Sequence, residues 1–255
     1  MNTSAELLKA IERNTLLIAA QTCTAHPVGP FVALLHPVDP APWFNYAMPV
    51  APLGDATLAL AALAELQALF LQHGRRLRFE WTQALWPTLP GLLEQFGLIS
   101  ESASPQMICT PASWRPYVAP GVAVRQLQPT DRLKNYRMLT NLAFGRAPDA
   151  SPPEVEELRQ ALETGWIYGL AELAGRWAGV GGFKSLEGLA ELVAVATHPQ
   201  LRRRGVAATL TSFLAAQHFD SGGTLAFLFA ADAGAQAVYA RVGFQTCAVR
   251  LSYIA

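Results

Sequence analysis

A strand-to-helix junction at residues 191–207 constrains the fold of this chain more than any other stretch. An apolar strand is predicted to end at Thr197, because Pro199 has no N–H to donate to a sheet. Three arginines and Gly205 follow, and an apolar helical pattern begins directly after them. The first N–H groups of a helix have no internal acceptor, and the helix dipole adds partial positive charge there. This order of residues predicts a seat for a phosphorylated ligand at the start of the helix.

The junction contains the short motif Arg202-x-x-Gly205-x-Ala207, whereas the chain has neither a Walker loop nor a Gly-x-Gly-x-x-Gly pattern. The motif resembles the acyl-CoA loop of the GNAT (Gcn5-related N-acetyltransferase) superfamily. A second stretch is similar to the late signature of that family, with Asp232 in place of an asparagine. Its residues are Asp232-x-x-Ala235-x-x-x-Tyr239-x-x-x-Gly243-Phe244.

The resemblance covers residues 121–255 and implies a mixed α/β fold, the GNAT acyl-CoA N-acyltransferase fold. The residue patterns agree with this: three strands at 166–173, 177–185 and 189–197 are joined by short turns and predict an antiparallel meander. A buried strand at 224–230 follows the helix and should lie parallel to the strand at 189–197. A pantetheine arm enters between those two strands only if they splay apart.

The Pro-rich segment 111–120 is the natural linker between two domains, residues 1–118 and 119–255. The first half repeats the order strand, helix, strand, helix, strand, so we expect a smaller, diverged α/β GNAT-like domain. Its loop before the long helix has no arginine and places Asp55 where a phosphate would sit. We therefore expect that this half does not bind acyl-CoA; an unrelated α/β domain is the alternative.

The resemblance implies that acetyl-CoA is the co-substrate. Backbone groups at the strand end are expected to pair with its pantetheine arm and to polarise the thioester carbonyl. The pyrophosphate is expected on the N–H groups of the helix start, with arginine side chains assisting. Gly205 lets the backbone approach a ligand without a Cβ in the way. The expected cofactor-binding residues are Val195, Ala196, Thr197, Arg202, Arg203, Arg204, Gly205, Val206, Ala207, Ala208 and Asp232.

Two side chains are candidates for proton transfer. The resemblance puts Tyr239 where the family has a tyrosine that protonates the leaving thiolate, and a core tyrosine is the alternative. Glu191 is the candidate base, because residues 191, 193, 195 and 197 share one face of a regular strand. A solvated strand charge is the alternative for Glu191, and Glu172 and Glu187 are further candidates for the base.

Composition excludes several classes of function. The formal net charge is zero and the pI is about 7.0, so bulk attraction to nucleic acid is not expected; a solvated basic turn stays an alternative for the arginines. Three widely spaced cysteines predict free thiols in a reducing compartment and no metal site. The apolar region 56–71 has helical periodicity and carries Glu65, which predicts a core helix and no membrane span. A secretory leader is not expected, so the predicted location is the cytoplasm.

The sequence thus predicts an N-acetyltransferase that moves the acetyl group of acetyl-CoA directly to a primary amine of a small molecule or a protein. A non-catalytic acyl-CoA-binding or regulatory protein is the alternative from another class, and transfer of a longer acyl group is a third hypothesis. Acetyl-CoA and an amine acceptor are the expected partners, with no nucleic acid and no membrane. The sequence does not fix the oligomeric state, and a homodimer is one open alternative.

Overall fold

The computed structural model describes residues 4–255 and has a mixed α/β architecture. The helices are α1 Ala5–Ala19, α2 Ala56–Gln72, α3 Leu89–Phe96, α4 Leu133–Ala143, α5 Pro152–Glu163, α6 Val206–Asp220 and α7 Ala233–Arg241. The strands are β1 Thr24–Val28, β2 Phe31–Leu35, β3 Tyr46–Pro49, β4 Arg78–Thr82, β5 Ile99–Cys109, β6 Val122–Gln126, β7 Ile167–Leu173, β8 Arg176–Phe183, β9 Ser185–Leu186, β10 Leu189–Glu191, β11 Val193–Thr197, β12 Leu225–Phe229 and β13 Gln245–Ile254.

Contacts divide the chain into two compact units. The first holds the chain up to Gln106 together with Thr246–Ala255, and the second is Met107–Gln245. The last strand belongs to the first unit, because the Arg250 guanidinium pairs there with Glu12 and Glu80, at 2.9 Å each. The sequence predicts this strand in the second domain, residues 119–255, whereas the contacts place it in the first unit. The division into domains 1–118 and 119–255 stays a prediction.

The first unit is built on a sheet in the order β1-β2-β3-β4-β13-β5. Helix α2 connects β3 to β4, which pair in parallel at Ala47 and Phe79. A serine before the first helical pattern predicts an N-cap, and this is confirmed: the Ser4 side chain accepts the Leu7 N–H. The apolar runs at 31–35 and 43–50 predict two strands, whereas β1 has no such signal. The second of these strands begins only at Tyr46, because a short 3-10 turn occupies Pro42–Phe44.

The start of α2 is closed by a side chain of the protein itself. The Asp55 carboxylate accepts hydrogen bonds from the N–H groups of Thr57 (2.8 Å) and Leu58 (3.1 Å). A carboxylate at this position satisfies the free donors and the helix dipole, which leaves no unfilled donor pair for a phosphate. The absence of acyl-CoA binding in this half stays a prediction.

The second unit contains the antiparallel sheet β11-β8-β7-β6 and the strands β12-β10-β9. The predicted meander is confirmed: β7 and β8 pair in register and turn at Ala174 and Gly175, both with positive φ. Leu170, Val180 and Ala196 pack with α4 and α5 in one buried cluster. On α6, Leu210 and Leu214 lie close to Gly169, so helices cover the sheet on both faces.

Local signals placed most helix ends in this unit. Ser151 and Glu154 form the capping box of α5, and Gly243 follows α7 with φ +99°. The stretch Pro129-Thr130-Asp131 predicts a helix that Thr130 or Asp131 caps, and this prediction was wrong. Helix α4 begins at Leu133 without a side-chain cap, because the Asp131 carboxylate binds the Arg125 guanidinium (2.7 and 3.0 Å).

Between residues 4 and 255, no helix combines the length and the apolar character that crossing a membrane requires.

Candidate functional site

The predicted single strand at 189–197 is in fact two strands that belong to different sheets. Strand β10 pairs in parallel with β12, from Leu189–Leu225 to Glu191–Phe227, and the Leu192 N–H donates to the Phe227 carbonyl at 2.8 Å. After Leu192, β11 pairs with β8, and no pairing within residues 4–255 joins it to β12. The edge of β11 on the side of β12 is therefore unpaired. A pantetheine arm would need such a separation between the two strands.

A β-bulge accompanies this separation. Val193 pairs with Gly182 and Ala196 pairs with Val180, so one residue of β8 opposes two residues of β11, and Ala194 has φ +52°. The His198 N–H donates to the Ala178 carbonyl at 2.8 Å. Since alternate residues turn to opposite edges, the backbone of Ala196 faces β8, whereas the N–H groups of Val195 and Thr197 face the open edge.

The bulge also corrects the face assigned to Glu191. Cross-strand partners share a face, and Gly182 and Val180 share one, so Val193 and Ala196 lie on the same face of the sheet. Glu191 lies on that face too, opposite to Val195 and Thr197. The prediction that residues 191, 193, 195 and 197 share a face was wrong, because the extra residue at the bulge inverts the alternation.

The helix start after β11 is open. A 3-10 turn at Pro199–Leu201 leads into the arginines, and α6 begins at Val206 with Gly205 as its N-cap. The first turn of α6 has no acidic residue and no capping side chain. In the first turn of α6, the N–H groups of residues 206–208 have no acceptor within residues 4–255. These donors and the helix dipole make a seat for an anion, in contrast with the closed start of α2.

Gly205 is required by the packing of the chain itself. Its φ of +78° is a left-handed conformation, and a Cβ at this position would overlap the Cβ of Ala119 and lie 3.3 Å from the Tyr117 hydroxyl. That segment is fixed on α6, because the N–H groups of Tyr117 and Ala119 donate to Ser212 and Thr209 at 2.9 Å each. No local pattern in the sequence links residues 117–119 to the helix start, so this support could not be predicted from it.

The three arginines differ in their surroundings. Arg202 donates to the Ala143 carbonyl at 3.0 Å and so ties the loop to the end of α4. Arg203 and Arg204 are exposed, and Arg203 has φ +63°. The guanidinium groups of Arg203 and Arg204 are therefore accessible to a ligand beside the open N–H groups, while Arg202 fixes the loop.

Tyr239 lies in the same buried cluster as Ala190 and Leu192, the residues next to the strand separation. Its side chain is 9% exposed, and its hydroxyl makes no hydrogen bond with residues 4–255. Burial and then the nearby Asp232 carboxylate raise the pKa of Tyr239 to about 12, so the phenol keeps its proton. An aspartate before the last helical pattern predicts an N-cap, and this is confirmed: the Asp232 carboxylate accepts the Ala235 N–H at 2.7 Å.

Two clefts lie beside α4 rather than at the open edge of β11. One, of about 480 Å³, includes Arg132, Asn135 and Trp177 in its lining, and the other, of about 240 Å³, includes Pro148 and His198. None of the residues predicted for the cofactor or for proton transfer lines either cleft. Residues 4–255 contain no cluster of three or more His, Cys, Asp or Glu side chains that could hold a metal ion.

Comparison with known proteins identifies a family whose model matches part of this chain. Residues 133–244 match the model of the acetyltransferase (GNAT) family. A sequence search of curated proteins found no match.

Solved structures resemble the chain over most of its length. A GCN5-related N-acetyltransferase from Kribbella flavida matches with a TM-score of 0.80 and 23% identity, over 97% of this chain and 95% of that one. Another, from Sphaerobacter thermophilus, matches with 0.69 and 17%, over 89% and 80%. A tandem GNAT protein from the clavulanic acid biosynthesis pathway matches with 0.62 and 14%, over 88% and 78%. The predicted fold class is thereby confirmed.

Proposed function

We propose, on the premise that residues 133–244 are an acetyltransferase domain of the GNAT family, that this protein transfers the acetyl group of acetyl-CoA directly to a primary amine. One observation carries the proposal. After Leu192 the chain leaves β12 and continues as β11, which leads to a helix start whose N–H groups at residues 206–208 have no acceptor within residues 4–255. A nucleotide thioester on a long arm suits this edge, because the arm can pair with the strand while its phosphates bind the helix start.

Binding is divided between two groups of backbone donors. The N–H groups of residues 203–208 would hold the pyrophosphate, with the side chains of Arg203 and Arg204 adding charge-assisted hydrogen bonds. The N–H groups of Val195 and Thr197 face the open edge of β11 and would pair with the arm. Fixed backbone donors at this edge also stabilise negative charge that develops on the thioester oxygen during attack by the amine. Acetyl-CoA supplies the activated acyl group.

Proton transfer requires one acid and one base. Tyr239 is the proposed acid for the leaving thiolate, since its raised pKa keeps the phenol protonated beside the strand separation. Glu191 is the proposed base for the ammonium form of the acceptor, directly or through a water molecule, and it works from the α4 face of the sheet. Glu172 and Glu187 are the other carboxylates proposed for this role.

Release of free thiol from acetyl-CoA across a panel of small amines and amine-bearing peptides tests the proposal. We expect turnover with at least one acceptor and an acetylated product by mass spectrometry. Binding of acetyl-CoA without turnover would favour a non-catalytic acyl-CoA-binding protein. Faster turnover with longer acyl-CoA donors would favour transfer of a longer acyl group.

The cellular setting belongs to the same proposal. We infer a cytoplasmic protein without nucleic-acid or membrane partners, supported by zero net charge and by Cys23, Cys109 and Cys247 as free thiols. A homodimer is the proposed assembly. Light scattering of the purified protein measures its mass directly, and a monomer across the micromolar range would contradict the dimer.

Charge reversal at one exposed arginine should weaken binding of acetyl-CoA. Arg203→Glu replaces an attractive charge at the phosphate seat with a repulsive one, and the lost charge-assisted contacts predict an increase in Kd of about tenfold or more. Calorimetric titration with CoA measures this change. The matched control is Arg176→Glu, an exposed reversal at the start of β8, which should leave Kd unchanged. Equal Kd values for Arg203→Glu and the wild type would remove that side chain from the seat.

A further inference from the structure

We propose that Tyr136 is a positioning residue for the reaction: through Gly181 it fixes the bulged segment of β11 that presents the Val195 N–H to the thioester. This inference rests on the proposed function. Tyr136 lies on α4, is buried, and belongs to the same buried cluster as Ala196 of β11. Its hydroxyl accepts the Gly181 N–H at 3.1 Å and donates to the Gly181 carbonyl at 3.0 Å.

The hydroxyl therefore binds the one residue of β8 that stands opposite the bulge. Val193 pairs with Gly182 and Ala196 pairs with Val180. Gly181 therefore stands opposite two residues of β11, Ala194 and Val195. The hydroxyl also lies 3.4 Å from the carbonyl of Gly169, the partner of Gly181 in β7. A tyrosine from α4 thus holds the middle of the sheet at the level of the bulge.

The opposite side of Gly181 carries the bulge itself. A Cβ on Gly181 would lie 3.1 Å from Val195 Cγ2, 3.2 Å from Val195 Cα and 3.3 Å from Leu214 Cδ1. Val195 therefore packs directly on the backbone of Gly181, and there is room for only a hydrogen atom between the two strands at this point. Gly181 is clamped between the Tyr136 hydroxyl on the α4 side and Val195 on the α6 side.

The support of Val195 by Gly181 matters for acetyl transfer because the Val195 backbone carries an N–H donor. Its N–H faces the open edge of β11, where the thioester is proposed to lie. Stabilisation of a developing charge by fixed donors depends on their exact distance and direction, and a loosened support weakens it. Phosphate binding at residues 203–208 is at the other end of β11 and does not depend on Gly181.

The test is Tyr136→Phe, which removes only the hydroxyl. We expect kcat to fall about tenfold and the thermal midpoint to fall by a few degrees, since buried Gly181 groups lose a partner, while the Kd for CoA stays near the wild-type value. The matched control is Tyr168→Phe, since Tyr168 packs against Tyr136 at 5.8 Å between ring centroids and its hydroxyl makes no hydrogen bond with residues 4–255. This control should retain wild-type kcat. A second variant, Gly181→Ala, presses on Val195 without removing the hydroxyl and should show the same selective loss of kcat.

Amide NMR gives a readout that does not need activity. In Tyr136→Phe the Gly181 amide should exchange its hydrogen at least tenfold faster and the Val195 amide signal should move, whereas Tyr168→Phe should leave both unchanged. Unchanged kcat and unchanged amide signals overturn the inference, as does a parallel loss of kcat, CoA affinity and thermal midpoint. If the wild type turns over no amine, the proposed function fails, and the two amide signals alone decide whether Tyr136 holds the bulge.

Discussion

The Gly205→Ala variant is expected to lose at least tenfold in affinity for acetyl-CoA and about 2–4 kcal/mol in free energy of unfolding. An alanine in the left-handed conformation that Gly205 adopts, φ +78°, costs about 1 kcal/mol. The added Cβ overlaps Ala119, and relief of such overpacking costs a further 1–3 kcal/mol, roughly. The backbone must move to relieve the strained conformation and the overlap with Ala119. This movement is expected to turn the open N–H groups at the start of α6 away from the proposed phosphate position.

Gly222→Ala is the matched control for this prediction. Gly222 follows the other end of α6 with φ +89°, and a Cβ there meets no atom within 4 Å. It therefore shares the conformational cost without the overlap, and we expect a loss of about 1 kcal/mol with unchanged affinity. Denaturant unfolding and calorimetric titration with CoA measure the two quantities. Wild-type affinity in Gly205→Ala would show that the seat does not depend on this backbone geometry.

Tyr239→Phe is expected to lower kcat by about a hundredfold with little change in the KM for acetyl-CoA, as loss of general acid catalysis predicts. The ring stays, so packing against Phe244 is kept and the fold should be unaffected. The matched control is Tyr253→Phe in the first unit, whose hydroxyl donates to Glu94 at 2.8 Å and should not influence turnover. Full activity of Tyr239→Phe would end the assignment of the acid.

The pH dependence of the wild type provides a second check on Tyr239. Burial and the Asp232 carboxylate raise its pKa to about 12, above the ordinary phenol value, so the acid stays protonated as the pH rises. Deprotonation of Tyr239 should therefore not reduce kcat below about pH 11. A fall in kcat near pH 9 that is absent in Tyr239→Phe would show that the phenol titrates lower and is less buried than the structure has it.

The features that the sequence predicted correctly are set by near neighbours. Ser4, Asp55, Ser151 and Asp232 cap their helices through N–H groups two or three residues away, so the pattern and the cap occur in one short stretch. The parallel pairing of β10 and β12 followed in the same way from a strand, a helix and a strand in succession.

The failures arise where distant segments decide. Asp131 is a good capping residue, yet it binds Arg125 instead, and helix α4 starts two residues later. The face of Glu191 was misassigned because the bulge at Ala194 inverts the alternation of the strand, and an alanine carries no sign of a positive φ. The sequence pattern predicts a last strand at 245–254, which are the bounds of β13, but ion pairs to Glu12 and Glu80 bring that strand into the first unit.

The open helix start after β11 can be predicted from its arginines, its glycine and the absence of an acid in the first turn of α6. The folded chain was needed to show that β10 leaves β12 after Leu192, that Gly205 packs against Ala119, and that the Tyr136 hydroxyl binds Gly181. Free donors at a helix start are a property of a few consecutive residues. The width of an open edge, in contrast, depends on contacts between segments that lie tens of residues apart, and no local pattern encodes those contacts.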